Sequence, residues 1–370
     1  MKINFTFHSL LLLFLCTFYS CGQKTEKDPH GCIPADLLHP EQEGDISPYV
    51  KHTRLVRLSM PDPYFFGSVS SVLFTDSAIY AVDRKQDCVF RFTPDGRFLN
   101  KIGSRGNGPG EYVSLSNVCV NDGGLFLCDI GSRKIHCHTL DGKYMKTLTH
   151  EMEEVYDDIA PLPGGGFLCH CITGTEGSGK IWLMDKDGKK KKDLLRCDDF
   201  YYYTYSPWST LIPVADPDKV EILDPITRTV YEYDAAGDTL KIAACFESNR
   251  KGSDSYPRDF KKPYEPGRED CTDPVYAVET DSCFYTLWSA PKASIRVVCD
   301  KRTQTSRSFA GIKGGGLHTN RDHFFWPVSS NLPGAAVYVQ TDECPPESIP
   351  ERYRAEMSEQ VALVRILNMK

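Results

Sequence analysis

The sequence of 370 residues lacks a long apolar run, a positive net charge and the short motifs of several enzyme classes. The apolar run near its start, Leu10–Leu15, is too short for a transmembrane helix, which needs about 20 residues. A net charge of −7 argues against DNA or RNA as a partner, because phosphate binding needs a basic surface. No P-loop, HExxH helix or nucleophile elbow is present, so no motif names a catalytic class.

Glycine is concentrated in one stretch, Lys101–Tyr112, between two β-type runs. Four glycines and a proline within eight residues cannot continue a helix or a strand. A dinucleotide fingerprint needs a helix after its glycines, whereas Tyr112–Val120 is typical of a strand. We expect a structural crossover in which Glu111 accepts hydrogen bonds from loop amides; an anion-binding nest with Arg105 is the alternative. The loop residues are Gly103, Arg105, Gly106, Gly108, Pro109, Gly110 and Glu111.

An internal repeat follows from sliding the chain along itself by 46 residues. This shift aligns Ile79–Asp83 with Leu125–Asp129 and brings three Asp-Gly pairs into register. Asp-Gly between short β-rich runs is a hairpin signal, and the runs lack the 3.6-residue period of helices. A period of this length made of strands indicates propeller blades of four strands each. The hairpin glycines, expected at positive φ, are Gly96, Gly142 and Gly188.

Three segments carry a resemblance to a known family: Ile79–Gln86, Val89–Gly103 and Arg105–Tyr112. They resemble six-bladed β-propeller lipoproteins of the Gram-negative envelope, which are similar to NHL-type propellers. The resemblance implies an all-β, six-bladed propeller and a place in the cell envelope, but little about activity. We expect the ring to be closed by strands from both chain ends, Leu55–Leu58 and Val361–Ile366, since closure removes an exposed sheet edge.

The first 50 residues are expected to deliver and tether the domain. Residues 1–20 form a lipoprotein signal peptide, with Lys2, a short apolar centre and a cysteine directly after the cleavage point. Cys21 is the expected lipidation site. Residues 21–50 are then a polar tether, too poor in apolar residues to pack, and residues 51–370 form the propeller. The expected location is the outer membrane, on its periplasmic or surface face.

Most of the fifteen cysteines lie inside apolar strand runs, where cysteine behaves as a small hydrophobic residue. Cys88, Cys128 and Cys245 are examples. Without Cys16 and Cys21 the count is odd, so it cannot pair completely. We expect one or two disulfides at most, with no pairing specified by the sequence.

Two clusters contain metal-ligating residue types, His136–His138 and Cys169–Cys171. Both are interpreted as blade packing, because a tetrahedral zinc site needs four ligands and no second matching pair exists. No cofactor is predicted for a binding module, and a divalent metal, calcium or zinc, in the channel is the alternative. Propeller enzymes of the lactonase or amidating-lyase type hold a divalent metal, such as calcium or zinc, at the channel mouth. The inner-strand candidates for such a site are Asn117, Asp157, Asp158 and Glu279.

The densest aromatic run, residues 200–208, offers a second candidate surface. Tyr203, Tyr205 and Trp208 would suit a glycan platform, because sugar rings stack on exposed aromatic rings. Packing between blades is the competing interpretation. The sequence therefore predicts a non-catalytic binding or scaffolding lipoprotein of the cell envelope, and the family resemblance implies a link to an outer-membrane uptake or sensing assembly. Its partners are the membrane, through the lipid, and an envelope protein or glycan. A metal-dependent hydrolase or lyase is the alternative.

Overall fold

The computed structural model describes residues 31–370 apart from 130, 151–155, 173, 199–208, 253–271, 291–292, 315–316, 320–326 and 345. In this part the chain is almost entirely β, with one short α-helix, α1 (Glu351–Arg354). The predicted all-β class is confirmed, and the curled multi-stranded sheets are consistent with a β-propeller. The first strands are β1 (Ile33–Ala35), β2 (Glu41–Asp45) and β3 (Val50–Ser59).

Antiparallel pairing divides most strands into groups of four, numbered here along the chain. Group 1 contains β4 (Val69–Phe74), β5 (Ile79–Asp83), β6 (Cys88–Phe92) and β7 (Phe98–Ile102). Group 2 contains β8 (Asn117–Asn121), β9 (Gly124–Asp129), β10 (Lys134–His138) and β11 (Tyr144–Thr149). Group 3 contains β12 (Asp158–Pro161), β13 (Phe167–His170), β14 (Gly179–Met184) and β15 (Lys190–Arg196).

The remaining groups carry additional strands. Group 4 contains β16 (Leu211–Ile212), β17 (Lys219–Asp224), β18 (Thr229–Asp234) and β19 (Thr239–Ser248). Group 5 contains β20 (Asp273–Glu279), β21 (Cys283–Ala290), β22 (Ala293–Asp300) and β23 (Thr305–Gly314), and β24 (Leu317–Thr319) pairs with β23. Group 6 contains β25 (Pro327–Ser330), β26 (Ala335–Gln340), β27 (Val361–Met369) and β3.

The hairpin turns of groups 1 to 3 need glycine. Gly96, Gly142 and Gly188 have φ values of +92°, +94° and +88°, as the Asp-Gly pattern predicts. A Cβ at Gly96 would lie 2.0 Å from the carbonyl oxygen of Arg57, so the turn also packs too closely for a side chain. Each turn therefore fixes both the hairpin and its contact with the neighbouring group.

Buried apolar side chains fill the space between consecutive groups. Between groups 2 and 3, for example, Ile135 packs with Ile159 and Trp182. Comparable clusters join groups 1 and 2, 3 and 4, 4 and 5, 5 and 6, and 6 and 1. Removing this area from water is the main stabilising contribution, at about 25 cal/mol per Å² of apolar surface.

Both ends of the domain meet in group 6. β3 pairs antiparallel with β27, and Leu55 lies opposite Arg365. β25 of group 6 pairs in parallel with β4 of group 1, which joins the two groups into one eight-stranded sheet. The Asn331 side chain reinforces this junction, because it donates to the Phe74 carbonyl and accepts from the Phe74 N–H, both at 2.8 Å.

The structure corrects the prediction of an unpacked tether for residues 33–45. β1 adds in parallel to β19, and β2 adds in parallel to β23. Ile33, Leu37 and Ile46 are buried in the clusters of groups 4 and 5. The segment is polar in composition, but Ile33, Ala35 and Leu37 are buried, whereas Leu38 stays exposed.

One disulfide, Cys32–Cys245, is present in the described part of the chain and ties this segment to β19. Cys245 is therefore a bonded cysteine and not the packing residue that the sequence predicts. The ten reduced cysteines of the described ranges are buried, apart from the half-buried Cys344. Where the chain is described, no helix has both the length and the apolar character needed to cross a membrane.

Candidate functional site

The first strand of each group is called its inner strand. A cavity of about 660 Å³ lies between several of these inner strands. Its wall is formed by β4, β8 and β12, by residues 209–220, and by residues 329–331. Most of its polar groups are uncharged hydroxyls and amides, and none of the described lining residues is aromatic. The polar lining residues are Ser70, Ser71, Arg84, Ser114, Ser116, Asn117, Asn121, Asp157, Asp158, Ser209, Thr210, Asp216, Lys219, Ser329, Ser330 and Asn331.

Asp158 is the hub of this lining. One carboxylate oxygen accepts hydrogen bonds from the Asn117 amide and, at 3.0 Å, from the N–H of Ile159. The other accepts from the Ser209 hydroxyl, and from the N–H and hydroxyl of Thr210 at 2.8 and 3.4 Å. Asp158 thus ties together residues of groups 2, 3 and 4.

The hydrogen-bond network around Asp158 extends to group 6, because the N–H of Ser209 donates to the Ser329 hydroxyl at 2.7 Å. Burial raises the pKa of Asp158, and the donated hydrogen bonds oppose that rise. With five donors on one carboxylate, Asp158 is a structural acceptor whose bonding capacity is taken up by the protein. It orients Asn117 and Ser209 toward the cavity.

A second polar layer lies behind Thr210. Nδ1 of His170 is 2.8 Å from the Thr210 hydroxyl. Burial lowers the pKa of His170 to about 4, helped by Lys180 and opposed by Asp224. Lys180 and Asp224 form a buried ion pair. His170 is therefore neutral at physiological pH and supports the cavity wall, and its Nε2 has no hydrogen-bond partner among the described residues.

The four predicted channel residues are divided by the structure. Asn117, Asp157 and Asp158 line the same cavity, whereas Glu279 does not. Glu279 forms an ion pair with Lys301 and lies against the buried Glu221, whose pKa is raised first by burial and then by Glu279. Across the described ranges, no group of three or more His, Cys, Asp or Glu residues is arranged to hold a metal ion.

The two His/Cys clusters are occupied by contacts within the protein. His136 places Nδ1 2.9 Å from the Thr147 hydroxyl, and Nδ1 of His138 lies 3.1 Å from the His136 carbonyl oxygen. Cys169 is fully buried in the core between groups 2 and 3. Burial raises the pKa of its thiol well above the usual value, which disfavours the thiolate that a metal needs.

The glycine loop lies at the crossover from group 1 to group 2. Glu111 accepts a hydrogen bond from the Gly108 N–H at 2.8 Å and one from the Ser104 hydroxyl at 3.4 Å. A Cβ at Gly106 would lie 2.0 Å from the same carboxylate. Arg105 donates to Asp87 at 3.2 Å and to the Val113 carbonyl at 3.1 Å, so its guanidinium also stabilises the crossover.

The remaining predicted residues of the glycine loop determine its backbone conformation. Gly103 and Gly110 both have φ of +78°, and a side chain on either would meet an aromatic ring, Tyr112 or Tyr144. Pro109 precedes the second of these positions. Two other candidate sites, the lipidation site Cys21 and the platform of Tyr203, Tyr205 and Trp208, lie outside the described residues.

Sequence reasoning missed Ser209, Thr210 and Ser329. Each is a short polar residue whose role depends on Asp158 or on a partner more than 50 residues away. Nothing in the local pattern around them signals a cavity. Asp158 can be predicted from the sequence because it is an acidic residue at the start of an inner strand.

Comparison with known proteins identifies the family. The model of the family described as Domain of unknown function (DUF4934) matches residues 34–353. The chain belongs to this family. No curated protein matches it significantly in sequence.

Solved structures share the fold. A Bacteroides fragilis NCTC 9343 protein described as exported aligns with a TM-score of 0.67 at 14% identity, over 92% of this chain and 99% of its own. A member of the duf4221 family from Bacteroides vulgatus ATCC 8482 aligns with a TM-score of 0.52 at 7% identity, over 86% and 97%. Virginiamycin B lyase from Staphylococcus aureus reaches 0.45 at 11% identity, over 78% and 82%, which is too low to support an argument. At these identities the likeness shows the fold alone.

Proposed function

We propose that the protein is a non-catalytic binding module of the cell envelope that holds a small, uncharged polar ligand in its central cavity. The observation that carries this proposal is the chemistry of the wall, where hydroxyls and amides surround a carboxylate that the protein itself saturates. A volume of about 660 Å³ falls within the usual range of ligand pockets.

The lining is suited to recognition and not to proton transfer. Asp158 has no spare capacity to act as a base, and His170 lies behind Thr210 with a pKa of about 4. General acid–base catalysis works best with groups whose pKa lies near the operating pH. Neutral donors and acceptors such as Asn117 and Ser71 instead match ligand hydroxyls, carbonyls or amides.

Binding can be tested by differential scanning fluorimetry and calorimetry with neutral saccharides and short blocked peptides. We expect at least one class to raise the melting temperature, and expect Ser71→Leu or Ser114→Leu to abolish that rise by filling the cavity. Ser77→Leu, at an exposed turn outside the cavity, is the matched control. Binding that survives both cavity variants, or no binding by either class, would overturn the proposal.

The same proposal includes a closed ring of six blades, formed by the six groups. Buried clusters connect each group to the next and group 6 back to group 1. The first strands also lie side by side in the order β4, β8, β12, β16 and β20. Closure leaves no inter-blade face exposed to water.

Closure predicts a strong effect of shortening the chain. Deleting residues 361–370 removes β27 from between β3 and β26, and we expect loss of the cooperative unfolding transition across the whole domain. Circular dichroism during thermal unfolding provides the measurement. A truncated protein that melts like the full-length chain would contradict both the closure and the sixth blade.

Location in the envelope rests on the signal sequence and on the disulfide. Disulfides form in oxidising compartments, and Cys32–Cys245 joins residues that lie 213 positions apart in the sequence. The structurally similar Bacteroides fragilis protein is itself described as exported. A Cys21→Ala variant should lose incorporation of labelled fatty acid and partitioning into detergent; normal labelling would remove the lipid anchor from the proposal.

A metal-dependent hydrolase or lyase is the second candidate, because Asn117, Asp157 and Asp158 line one cavity. Asp157 accepts a hydrogen bond from the Ile172 N–H at 2.5 Å and is exposed toward the cavity. Titration with calcium, manganese and zinc, read by melting temperature, separates the two functions. Metal stabilisation that disappears in Asp157→Asn would favour the enzyme.

A further inference from the structure

The last strand of each of groups 1 to 5 is called its outer strand. The N-terminal segment shows how such a strand pairs with an additional strand. β2 is acidic, with the sequence Glu41-Gln-Glu-Gly-Asp45, and lies parallel to β23. Both carboxylate oxygens of Glu41 accept from Arg307, at 3.0 and 2.9 Å, and Glu43 pairs with Lys313 at 2.7 Å. An acidic extended segment therefore covers a basic outer strand, with backbone pairing and ion pairs acting together.

The outer strand of group 3 is a second basic edge. β15 begins Lys190-Lys-Lys192, directly after Lys189 in the hairpin turn. β15 pairs with β14 alone, and no described strand lies along the other side of its backbone. Unpaired N–H and C=O groups along a strand edge are a template for another extended segment.

The charges along this edge are only partly compensated. Asp193 pairs with Lys190 at 2.5 Å and with Arg196 at 2.7 Å, and Lys192 pairs with Asp238 at 2.6 Å. Lys189 and Lys191 are exposed, and among the described residues neither lies within ion-pair distance of a carboxylate, although both interact electrostatically with Asp185. A local excess of positive charge thus persists on a protein whose net charge is −7.

Lysines on an edge discourage pairing with neutral or basic strands, and they select for acidic ones. Register shifts do not exclude strand addition, because β19 has one shift against β18 and still accepts β1, while β15 has three against β14. The precedent of β2 on β23 shows which chemistry such an edge takes.

We propose that the outer edge of β15 is a docking edge for an acidic, extended peptide segment of a partner protein. The segment adds as a strand to group 3, as β2 does to group 5. Its carboxylates pair with Lys189 and Lys191, while its backbone pairs with β15. This surface is separate from the cavity and does not depend on the cavity's ligand.

The test uses a fluorescent peptide containing the sequence Glu-Gln-Glu-Gly-Asp, the protein's own acidic strand, and measures binding by anisotropy. We expect saturable binding that weakens about tenfold or more in the double variant Lys189→Glu/Lys191→Glu, because attraction becomes repulsion. Lys101→Glu, an exposed lysine on the outer strand of group 1, is the matched control and should change little.

Two further arms separate strand addition from simple charge attraction. A peptide with N-methylated backbone amides keeps its charges but cannot pair along an edge, and we expect it to bind at least about tenfold more weakly. Hydrogen exchange should slow in β15 on peptide binding. Equal binding of the methylated peptide, or binding to vesicles containing phosphatidylglycerol in place of the peptide, would overturn the proposal.

Discussion

The two halves of the domain protect their outer strands in different ways. In groups 4 and 5 the outer strands, β19 and β23, are ten residues long and are covered by β1 and β2. In groups 1 to 3 the outer strands β7, β11 and β15 have five, six and seven residues and pair on one side among the described strands.

The two sets of groups avoid unwanted pairing of an outer strand with other chains in two different ways. An uncovered edge remains soluble when it is short and carries lysines such as Lys101, Lys146 and Lys191. A long edge would be more prone to pair with other chains, and here the chain's own N-terminal segment occupies it. The stability of groups 4 and 5, the covered half, therefore depends on residues 31–46. The stability of groups 1 to 3, the open half, depends on their hairpin turns.

The largest expected effect follows from deleting residues 31–46. The deletion removes the disulfide and the buried side chains of Ile33, Leu37 and Ile46, so we expect a loss of roughly 5 kcal/mol or more in unfolding free energy. Hydrogen exchange should accelerate in β19 and β23 while β7 and β11 keep their protection. Urea midpoints equal to those of the intact protein would contradict the dependence.

A smaller effect is expected from removing the disulfide alone. The double variant Cys32→Ser/Cys245→Ser should lose about 2–4 kcal/mol, because the bond closes a loop of more than 200 residues in the unfolded chain. Urea denaturation provides the measurement. Cys344→Ser, at a reduced and half-buried cysteine, is the control and should unfold near the wild-type midpoint.

The open half should be sensitive at its turns. Gly142 has φ of +94° and would place a Cβ 2.6 Å from Ile102, so Gly142→Val should cost about 1–3 kcal/mol. Gly237 lies in the corresponding hairpin of group 4 without positive φ, and its nearest neighbour would be at an ordinary 3.4 Å. Gly237→Val is thus the matched control. Equal denaturant midpoints for both variants would remove the distinction.

The covered half also contains a pH-dependent contact between groups 4 and 5. Burial and the neighbouring Glu279 raise the pKa of Glu221 above its usual 4.5, so the folded state keeps a proton that the unfolded state releases. Stability is then lost as pH rises above 4.5. Glu221→Gln keeps the neutral shape, and we expect a gain on the order of 1 kcal/mol at pH 8 to 9 and none near pH 4.

Glu232 provides the opposite control for this experiment. Partial burial raises the pKa of Glu232, but Lys241 and Lys219 together outweigh it and lower the pKa, so the carboxylate stabilises the fold above about pH 4.5. Glu232→Gln should therefore reduce stability at neutral pH. Chemical denaturation at a series of pH values distinguishes the two. A parallel response of both variants would show that Glu221 is ionised in the folded protein.

Local patterns account for what the sequence predicts correctly. The Asp-Gly turns and the short apolar runs fix the hairpins of groups 1 to 3, since turn chemistry and burial act over a few residues. The strand at Leu55–Leu58 and that at Val361–Ile366 pair as expected. These features need no knowledge of distant partners.

The remaining features depend on contacts between distant residues. β1 and β2 have no strand signal of their own, because their pairing with β19 and β23 is supplied by residues more than 200 positions away. Asp158 meets Ser209 and Thr210 across the cavity for the same reason. Glu279 lies on an inner strand, yet its side chain turns to Lys301 and away from the cavity.

The position of Cys32 sets the length of the segment that would connect a lipid at Cys21 to the folded domain. Cys32 is eleven positions after Cys21, and a fully extended chain of that length reaches at most about 40 Å. Because the disulfide links Cys32 to β19, this segment joins the domain at group 4. Under the proposed lipidation, the anchor would thus hold group 4 within about 40 Å of the bilayer.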